Sequence, residues 1–405
     1  MQAKPFTVEV ADEVLDDLRA RLARTRWPEP LPGPGWTYGV DRGYLRELVG
    51  YWEGSFDWRA RERWLNGFAQ FIAEIDGQTI HFVHERGRGP RPLPLVLTHG
   101  WPSCYVELLK LVPLLTDPAA HGGDEGDSFD VVVPSLPGFA FSGRPPRPGL
   151  VTARSMGELW ARLMRDCLGY SRFGAQGQDI GGAVSISLAS HYPELVCGLH
   201  LTGVLTFPPK DRPISEEGQA FLARQQHFRD AEGGYAHQQG TYPQTLAYGL
   251  NDSQAGLAAW IVDKFRAWSD CDGDVERRFS KDELLTIITL YWVTGSINSS
   301  FLFYYDSRHD PEPPQPIRVD VPVGIALPRR RTRSPAHGSG PSRATTSPAG
   351  PRCRGAATSP PPKNPNCSPQ SCANSSAHFD RPKKPGAAPA RESGAILFLT
   401  RFTHA

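Results

Sequence analysis

Phe173-Gly-Ala-Gln-Gly-Gln-Asp-Ile-Gly-Gly-Ala-Val-Ser-Ile-Ser-Leu188 runs a short apolar approach into a glycine-flanked acid and then into a helical pattern. Within it, Gly177-Gln178-Asp179-Ile180-Gly181 has the spacing of a nucleophile elbow with aspartate at its tip. The flanking glycines suit a sharp strand-to-helix turn, where backbones approach too closely for a Cβ. A helix N-terminus beneath the tip favours an anion there. The five residues alone are equally consistent with an aspartate that merely caps a helix.

Upstream, the strand pattern Leu95-Val-Leu-Thr leads into His99-Gly100-Trp101-Pro102. A loop there can turn backbone N–H groups toward a developing oxyanion, and Trp101 together with Ile180, the residue after the acid, is the expected pair of donors. The bland alternative is a turn that simply needs Gly and Pro. Two such motifs in this order, separated by strand and helix patterns, favour the functional reading of both. Pro134-Ser-Leu-Pro-Gly-Phe follows another strand pattern, as a loop over the same edge would.

Around this centre the chain divides by pattern. Val14, Leu15, Leu18 and Leu22 mark one helix face and Tyr44, Leu45, Leu48, Tyr51 and Trp52 another, joined by a proline-rich strap from Arg26. Phe71 to Ile75, Asp76-Gly77 and Gln78 to His84 read as a β-hairpin. Short apolar runs at Leu93–Thr98, Val131–Pro134 and Val196–Leu201 alternate with helical patterns at 106–115, 159–168 and 184–190, which implies a mainly parallel sheet covered on both faces. Residues 1–90 are therefore expected as a lead-in, 91–205 as the first part of an α/β core, 206–305 as a helical cap and 306–327 as the return to a core strand near Val321–Leu327. Residues 328–405 are low-complexity, too poor in periodic apolar residues to bury a core.

The 405 residues carry 44 basic and 43 acidic side chains and a net charge of +1. That balance gives no footprint for nucleic acid and suits a small, nearly neutral ligand. Neither a signal sequence nor the roughly 20 apolar residues of a spanning helix is legible, so the expectation is a soluble, cytoplasmic protein without a membrane anchor. Of the seven cysteines, Cys104, Cys167, Cys197 and Cys271 read as small buried hydrophobes and Cys353, Cys367 and Cys372 fall in the tail. No CxxC pair is present, so no metal or cofactor is expected. Oligomeric state leaves no mark on the sequence.

Taken together, Thr25-Arg-Trp-Pro, Ile75-Asp-Gly, His99-Gly-Trp-Pro, Ser135-Leu-Pro-Gly-Phe, Gly177-Gln-Asp-Ile-Gly-Gly and Asn251-Asp-Ser-Gln-Ala-Gly-Leu-Ala-Ala-Trp resemble the microsomal and juvenile hormone epoxide hydrolase family over residues 3 to 327. The resemblance implies an α/β-hydrolase fold with an N-terminal helical meander and a helical cap. It implies a hydrophobic epoxide and water as reactants, a diol as product, and work in aromatic hydrocarbon catabolism or detoxification. Asp179 would be the nucleophile, Tyr304 the ring-opening proton donor and Tyr235 a second donor to the epoxide oxygen, with Tyr305 one residue away as an alternative and simple packing as the bland reading of each. The chemistry agrees with an aspartate tip, since a carboxylate needs no base to attack an sp³ carbon and leaves an ester for water to cleave.

The family's later acid and general-base histidine are not identifiable here. Pro328-Arg-Arg-Arg stands where the acid loop belongs, and His337, His378 and His404 have no supporting motif. Residues 344–367 back-translate into codons that, read two bases later, spell YNLTRWTEMPRGGHFAAPEEPEL, a family-like C-terminus whose histidine codon overlaps those of Ala357 and Thr358. A frameshift near residue 327 follows as a hypothesis, with impaired ester hydrolysis as its consequence. Two rivals remain at this stage. One is a haloalkane-type dehalogenase, and the other is an inactive relative that binds hydrophobic ligands among Trp260, Phe265, Trp268, Tyr291 and Trp292.

Overall fold

The computed structural model describes residues 2–33, 35–203, 213–311 and 318–326. Residues 206–212 of the expected cap, Leu327 and the expected tail at 328–405 lie outside them. Eight strands form one sheet. They are β1 (Lys4–Phe6), β2 (Gln70–Ile75), β3 (Gln78–Glu85), β4 (Leu93–Thr98), β5 (Phe129–Pro134), β6 (Phe173–Gln178), β7 (Val196–Thr202) and β8 (Val323–Ala326). Their spatial order is β1-β2-β3-β5-β4-β6-β7-β8. From β5 to β8 all neighbours are parallel, while β1, β2 and β3 form an antiparallel flank. Asp76 and Gly77 take φ of 51° and 77°, the positive pair that a type I′ turn requires to join β2 and β3.

The central parallel strands are apolar because helices cover them. Every residue of β5 is buried. Helices α1 (Asp12–Ala23), α2 (Arg42–Gly54) and α3 (Trp58–Leu65) form the lead-in, and α4 (Leu111–Thr116), α5 (Ala153–Arg162) and α6 (Ile180–His191) belong to the core. Between β7 and β8 come α7 (Glu216–Glu232), α8 (Gly234–Thr241), α9 (Pro243–Asp252), α10 (Gln254–Trp268), α11 (Lys281–Thr294), α12 (Ile297–Ser300) and α13 (Leu302–Arg308). Helix α11 starts at a reciprocal cap, Ser280 with Glu283, and ends at Gly295 with φ 58°, which is local chemistry for a firm start and stop.

The structure corrects several local expectations. Over 106–115 the chain makes a single 3-10 turn, Tyr105–Leu108, before α4 begins at Leu111, because Pro113 has no N–H to donate and fits only near a helix start. The helix expected at 159–168 is α5, begun earlier by the Thr152–Ser155 cap and followed by a π turn at Leu163–Cys167. Val14 is exposed, and the buried stripe of α1 is Leu15, Leu18 and Leu22. Cys104 and Cys271 are buried, whereas Cys167 and Cys197 are only partly so; Cys353, Cys367 and Cys372 lie outside the described residues. Strand β1 carried too few residues to show a period.

The lead-in does more than cover the sheet, because it grips the helices between β7 and β8. Arg21 of α1 pairs with Asp252 at 3.0 Å, and Lys281 of α11 pairs with Glu47 of α2 at 3.0 Å. The Tyr51 hydroxyl donates to Asp282 at 2.9 Å, and the Arg266 guanidinium lies 4.2 Å from the Trp36 ring centre.

The turn between β6 and α6 is the tightest place in the core. A Cβ on Gly177 would stand 2.0 Å from the Gly181 carbonyl oxygen, and one on Gly181 would stand 2.0 Å from that of Thr98. Neither backbone can retreat without opening the β4–β6 ladder. Gly181→Ala should therefore lower unfolding free energy by at least about 2 kcal/mol in urea titration, and an unchanged midpoint would show that the turn relaxes freely.

Candidate active site

Asp179 is the first residue after β6 and has φ 51° and ψ −125°. Such a conformation costs a non-glycine residue about 1–3 kcal/mol, and the surrounding parallel strands impose it. Its side chain makes no cap to α6, which removes the helix-capping reading. Instead Oδ1 accepts the Trp101 N–H at 3.0 Å, and the Ile180 N–H also donates to the carboxylate. The structure thus brings both expected backbone donors to the expected acid. Gly100 lets the loop come this close, since a Cβ there would stand 2.4 Å from Asp179.

These residues converge because β4 lies between β5 and β6, so the chain leaves β4 in one direction and returns to β6 on the other side. Loops leaving such a reversal form a crevice at the carboxyl edge of the sheet. His99 holds the crevice wall. It is fully buried, its Nε2 accepts the Leu136 N–H at 3.1 Å, and its Nδ1 faces the Gly100 carbonyl at 3.2 Å. Burial drives its pKa down to about 4, so it is a neutral strut tying the loop after β4 to the loop after β5. The Trp101–Pro102 peptide is cis.

Opposite Asp179 stand two phenols. Tyr235 of α8 lies flat on Trp101, with centroids 5.1 Å apart at 6°, and Tyr304 of α13 meets Trp101 edge-on at 6.1 Å. The two tyrosine rings are 5.6 Å apart at 79°, near enough for each phenol to influence the other's pKa. Both phenols are held protonated, first by burial and then by the negative charge of Asp179. Tyr304 keeps its place because α12 and α13 are tied to the core. The Ser299 hydroxyl donates to the Gly138 carbonyl at 2.6 Å, and Asp306 accepts the Val151 N–H at 2.9 Å. Tyr305, the neighbouring alternative, turns away and stacks on His309 at 4.1 Å.

Of the aromatic residues expected to face a ligand, Trp268 packs on Tyr235 at 4.8 Å, and the Tyr291 hydroxyl donates to the Ser103 carbonyl at 2.9 Å beneath the Trp101 loop. Phe265 packs on Phe279 instead, and Trp292 faces Arg21 of the lead-in. No ring contact ties Trp260 to these phenols. Two residues escaped the sequence reading. Lys264 sits 5.8 Å from the ring centres of both Tyr235 and Trp268 and pairs with Glu232 at 3.3 Å. Glu107 lies on the turn Tyr105–Leu108, where burial raises its carboxyl pKa while the Ser103 and Gln178 side chains hold it down. Its position one turn beyond Ser103 was the available signal, obscured by the helix expected there. His337, His378 and His404 lie outside the described residues.

Asp179 keeps an accessible carboxyl, yet the protein around it pushes its pKa above the usual carboxylate range, through desolvation opposed by the Ile180 and Trp101 N–H groups. The arrangement is a carboxylate held at Oδ1 by a backbone N–H, near two neutral O–H donors among aromatic rings.

Comparison with known proteins finds relatives along most of the chain. A model described as epoxide hydrolase N terminus matches residues 3–108, and one described as alpha/beta hydrolase fold matches residues 94–258. The chain is 43% identical over 334 residues to a protein of Stigmatella aurantiaca (strain DW4/3-1) named as a candidate epoxide hydrolase, covering 82% of this chain and 75% of that one. It is 36% identical over 357 residues to epoxide hydrolase 1 of Sus scrofa, covering 80% and 77%. The crystal structure of juvenile hormone epoxide hydrolase from the silkworm Bombyx mori superposes with a TM-score of 0.71 at 29% identity, covering 80% of this chain and 82% of that one.

The raised pKa can be read directly. In a carboxyl ¹³C titration, the resonance lost in Asp179→Asn should titrate at higher pH than the bulk of the aspartates, and a midpoint at or below theirs would contradict the desolvation argument.

Proposed function

The chain belongs to the epoxide hydrolase family of α/β-hydrolases, with the microsomal and juvenile hormone enzymes, and from that membership we propose that it opens a hydrophobic epoxide through a covalent ester on Asp179. The observation that carries the proposal is the division of labour at Asp179, with Oδ1 held by the Trp101 N–H and Oδ2 left to attack. Oδ2 bonds to a ring carbon, the carbon–oxygen bond of the epoxide breaks, and the departing oxygen takes a proton from Tyr304 while Tyr235 donates a hydrogen bond. Attack consumes the carboxylate charge that keeps the phenols from ionising, so proton release becomes easier as the alkoxide develops. Neutral O–H donors suit an oxygen leaving group, which takes up a proton, and argue against displacement of a halide.

Water then adds to the ester carbonyl carbon. The oxyanion forms on Oδ1, where the Trp101 N–H already points and the Ile180 N–H is the expected second donor, and collapse releases a vicinal diol. In this chain the acid and histidine expected for that step are not identifiable, so ester hydrolysis is slow and the alkylated enzyme accumulates. The aromatic rings around the phenols favour an apolar, aromatic epoxide. A cytoplasmic location and a role in catabolism or detoxification belong to the same proposal. Among the described residues no helix is long and apolar enough to cross a membrane.

Styrene oxide tests the reading. Intact-mass spectrometry of the native chain should show one added substrate mass, absent in Asp179→Asn, with slow release of diol. Tyr304→Phe should slow ester formation about 100-fold or more, with a smaller effect for Tyr235→Phe. Rapid multiple turnover without adduct would contradict the slow second step, and neither adduct nor diol would contradict the epoxide reading itself.

A further inference from the structure

Lys264 is a buried basic residue that the reaction described above does not use. Its relative exposure is 8%, and a lysine is held in such a place only by partners. Its Nζ donates to Glu232 at 3.3 Å and meets the carboxylate of Asp263, its neighbour on α10, at 2.7 Å. The Asp263 contact stays within one helix. The Glu232 contact joins α10 to the last residue of α7, and Glu232 also accepts the Trp268 indole N–H at 3.4 Å. Lys264 and Trp268 stand one turn apart on α10, as Phe228 and Glu232 do on α7, and the Phe228 and Trp268 rings meet at 6.1 Å. Two side chains from each helix therefore form one latch.

Tyr235 follows Glu232 by three residues. Its helix, α8, starts from Gly233, which has no side chain to cap it, so the first turn of α8 takes its position from the latch and from the rings beside it. Lys264 Nζ stands 5.8 Å from the Tyr235 ring centre, while Trp268 and Trp101 meet the same ring at 4.8 Å and 5.1 Å. An apolar side chain at 264 would fill this space without burying a charge. What a buried ion pair adds over such a residue is direction.

We propose that Lys264, latched to Glu232, is a positioning residue that holds the Tyr235 phenol for the epoxide oxygen as the ring opens. The proposal rests on the epoxide reading above. Lys264 acts through Tyr235 and takes no part in bond making. The charges favour the same arrangement. Burial first, then the charges of Asp179 and Glu232, hold the proton on the Tyr235 phenol. By pairing with Glu232, Lys264 offsets the last of these and leaves Tyr235 the better donor.

Single-turnover reaction of the full chain with styrene oxide, followed by intact mass, tests the assignment. Lys264→Met should slow ester formation about 10-fold and leave the slow ester decay within about twofold of native. Lys264→Arg should recover most of the formation rate. In Tyr235→Phe the further change Lys264→Met should cost less than about twofold, because its effect passes through the missing hydroxyl. Lys264→Met with Glu232→Gln leaves no carboxylate unpaired and should be as slow as Lys264→Met, with an unfolding midpoint close to native. In protein labelled with ¹³Cζ-tyrosine, the resonance lost in Tyr235→Phe should move in Lys264→Met and return toward its native position in Lys264→Arg. Native ester formation in Lys264→Met, equal slowing of formation and decay, additive effects with Tyr235→Phe, or a Tyr235 resonance indifferent to residue 264 would each overturn the proposal. Failure of the native chain to form any ester would overturn the epoxide reading, whereas the Tyr235 resonance judges the latch by itself.

Discussion

The hydrogen bond from the Trp101 N–H to Asp179 Oδ1 is the contact on which the rest of the site depends. It requires Asp179 to hold a positive φ, Gly100 to lack a Cβ and β4 to lie directly beside β6. Each of these is a backbone condition, so the geometry is set by the sheet and not by rotamer choice. The result is asymmetry within one carboxylate. The Trp101 N–H distinguishes Oδ1 from its twin, and the phenols of Tyr235 and Tyr304 lie close enough to feel the carboxylate's charge.

The charges around it are arranged to change together. Protein packed around the Asp179 carboxylate desolvates it, which raises its pKa, and the same charge keeps the adjacent phenols neutral. Attack extinguishes that charge just as a new one begins to form on the leaving oxygen. Little solvent need reorganise, because the donors are already in place. His99 contributes by staying out of the proton economy, since burial leaves it neutral and both its nitrogens are engaged in bracing the loop.

Local signals were legible in the sequence wherever a short segment determines its own shape. The Asp76-Gly77 hairpin, the apolar strands and the glycine-flanked Asp179 are of this kind. The positions of Tyr235 and Tyr304 came only through family resemblance, because nothing in a run such as Phe303-Tyr-Tyr-Asp says which tyrosine points inward. One residue of helix is about 100° of rotation, and the ties from Ser299 and Asp306 choose Tyr304 over Tyr305. Three residues of the same helix, about 300° of rotation, separate Trp268, which meets Tyr235, from Phe265, which packs on Phe279. Glu107 was hidden because the expected helix over 106–115 is instead a short turn, Tyr105–Leu108, followed by α4.

The lead-in fastens the helices over the site from outside. Arg21 holds α9, Glu47 and Tyr51 hold α11, and Trp36 holds α10 through Arg266. To swing those helices away from the sheet would require breaking these contacts together. A roof so fastened yields only together with the lead-in, so a change made on the outer face, at Arg21 or Glu47, is felt by the helices on the far side of those ties.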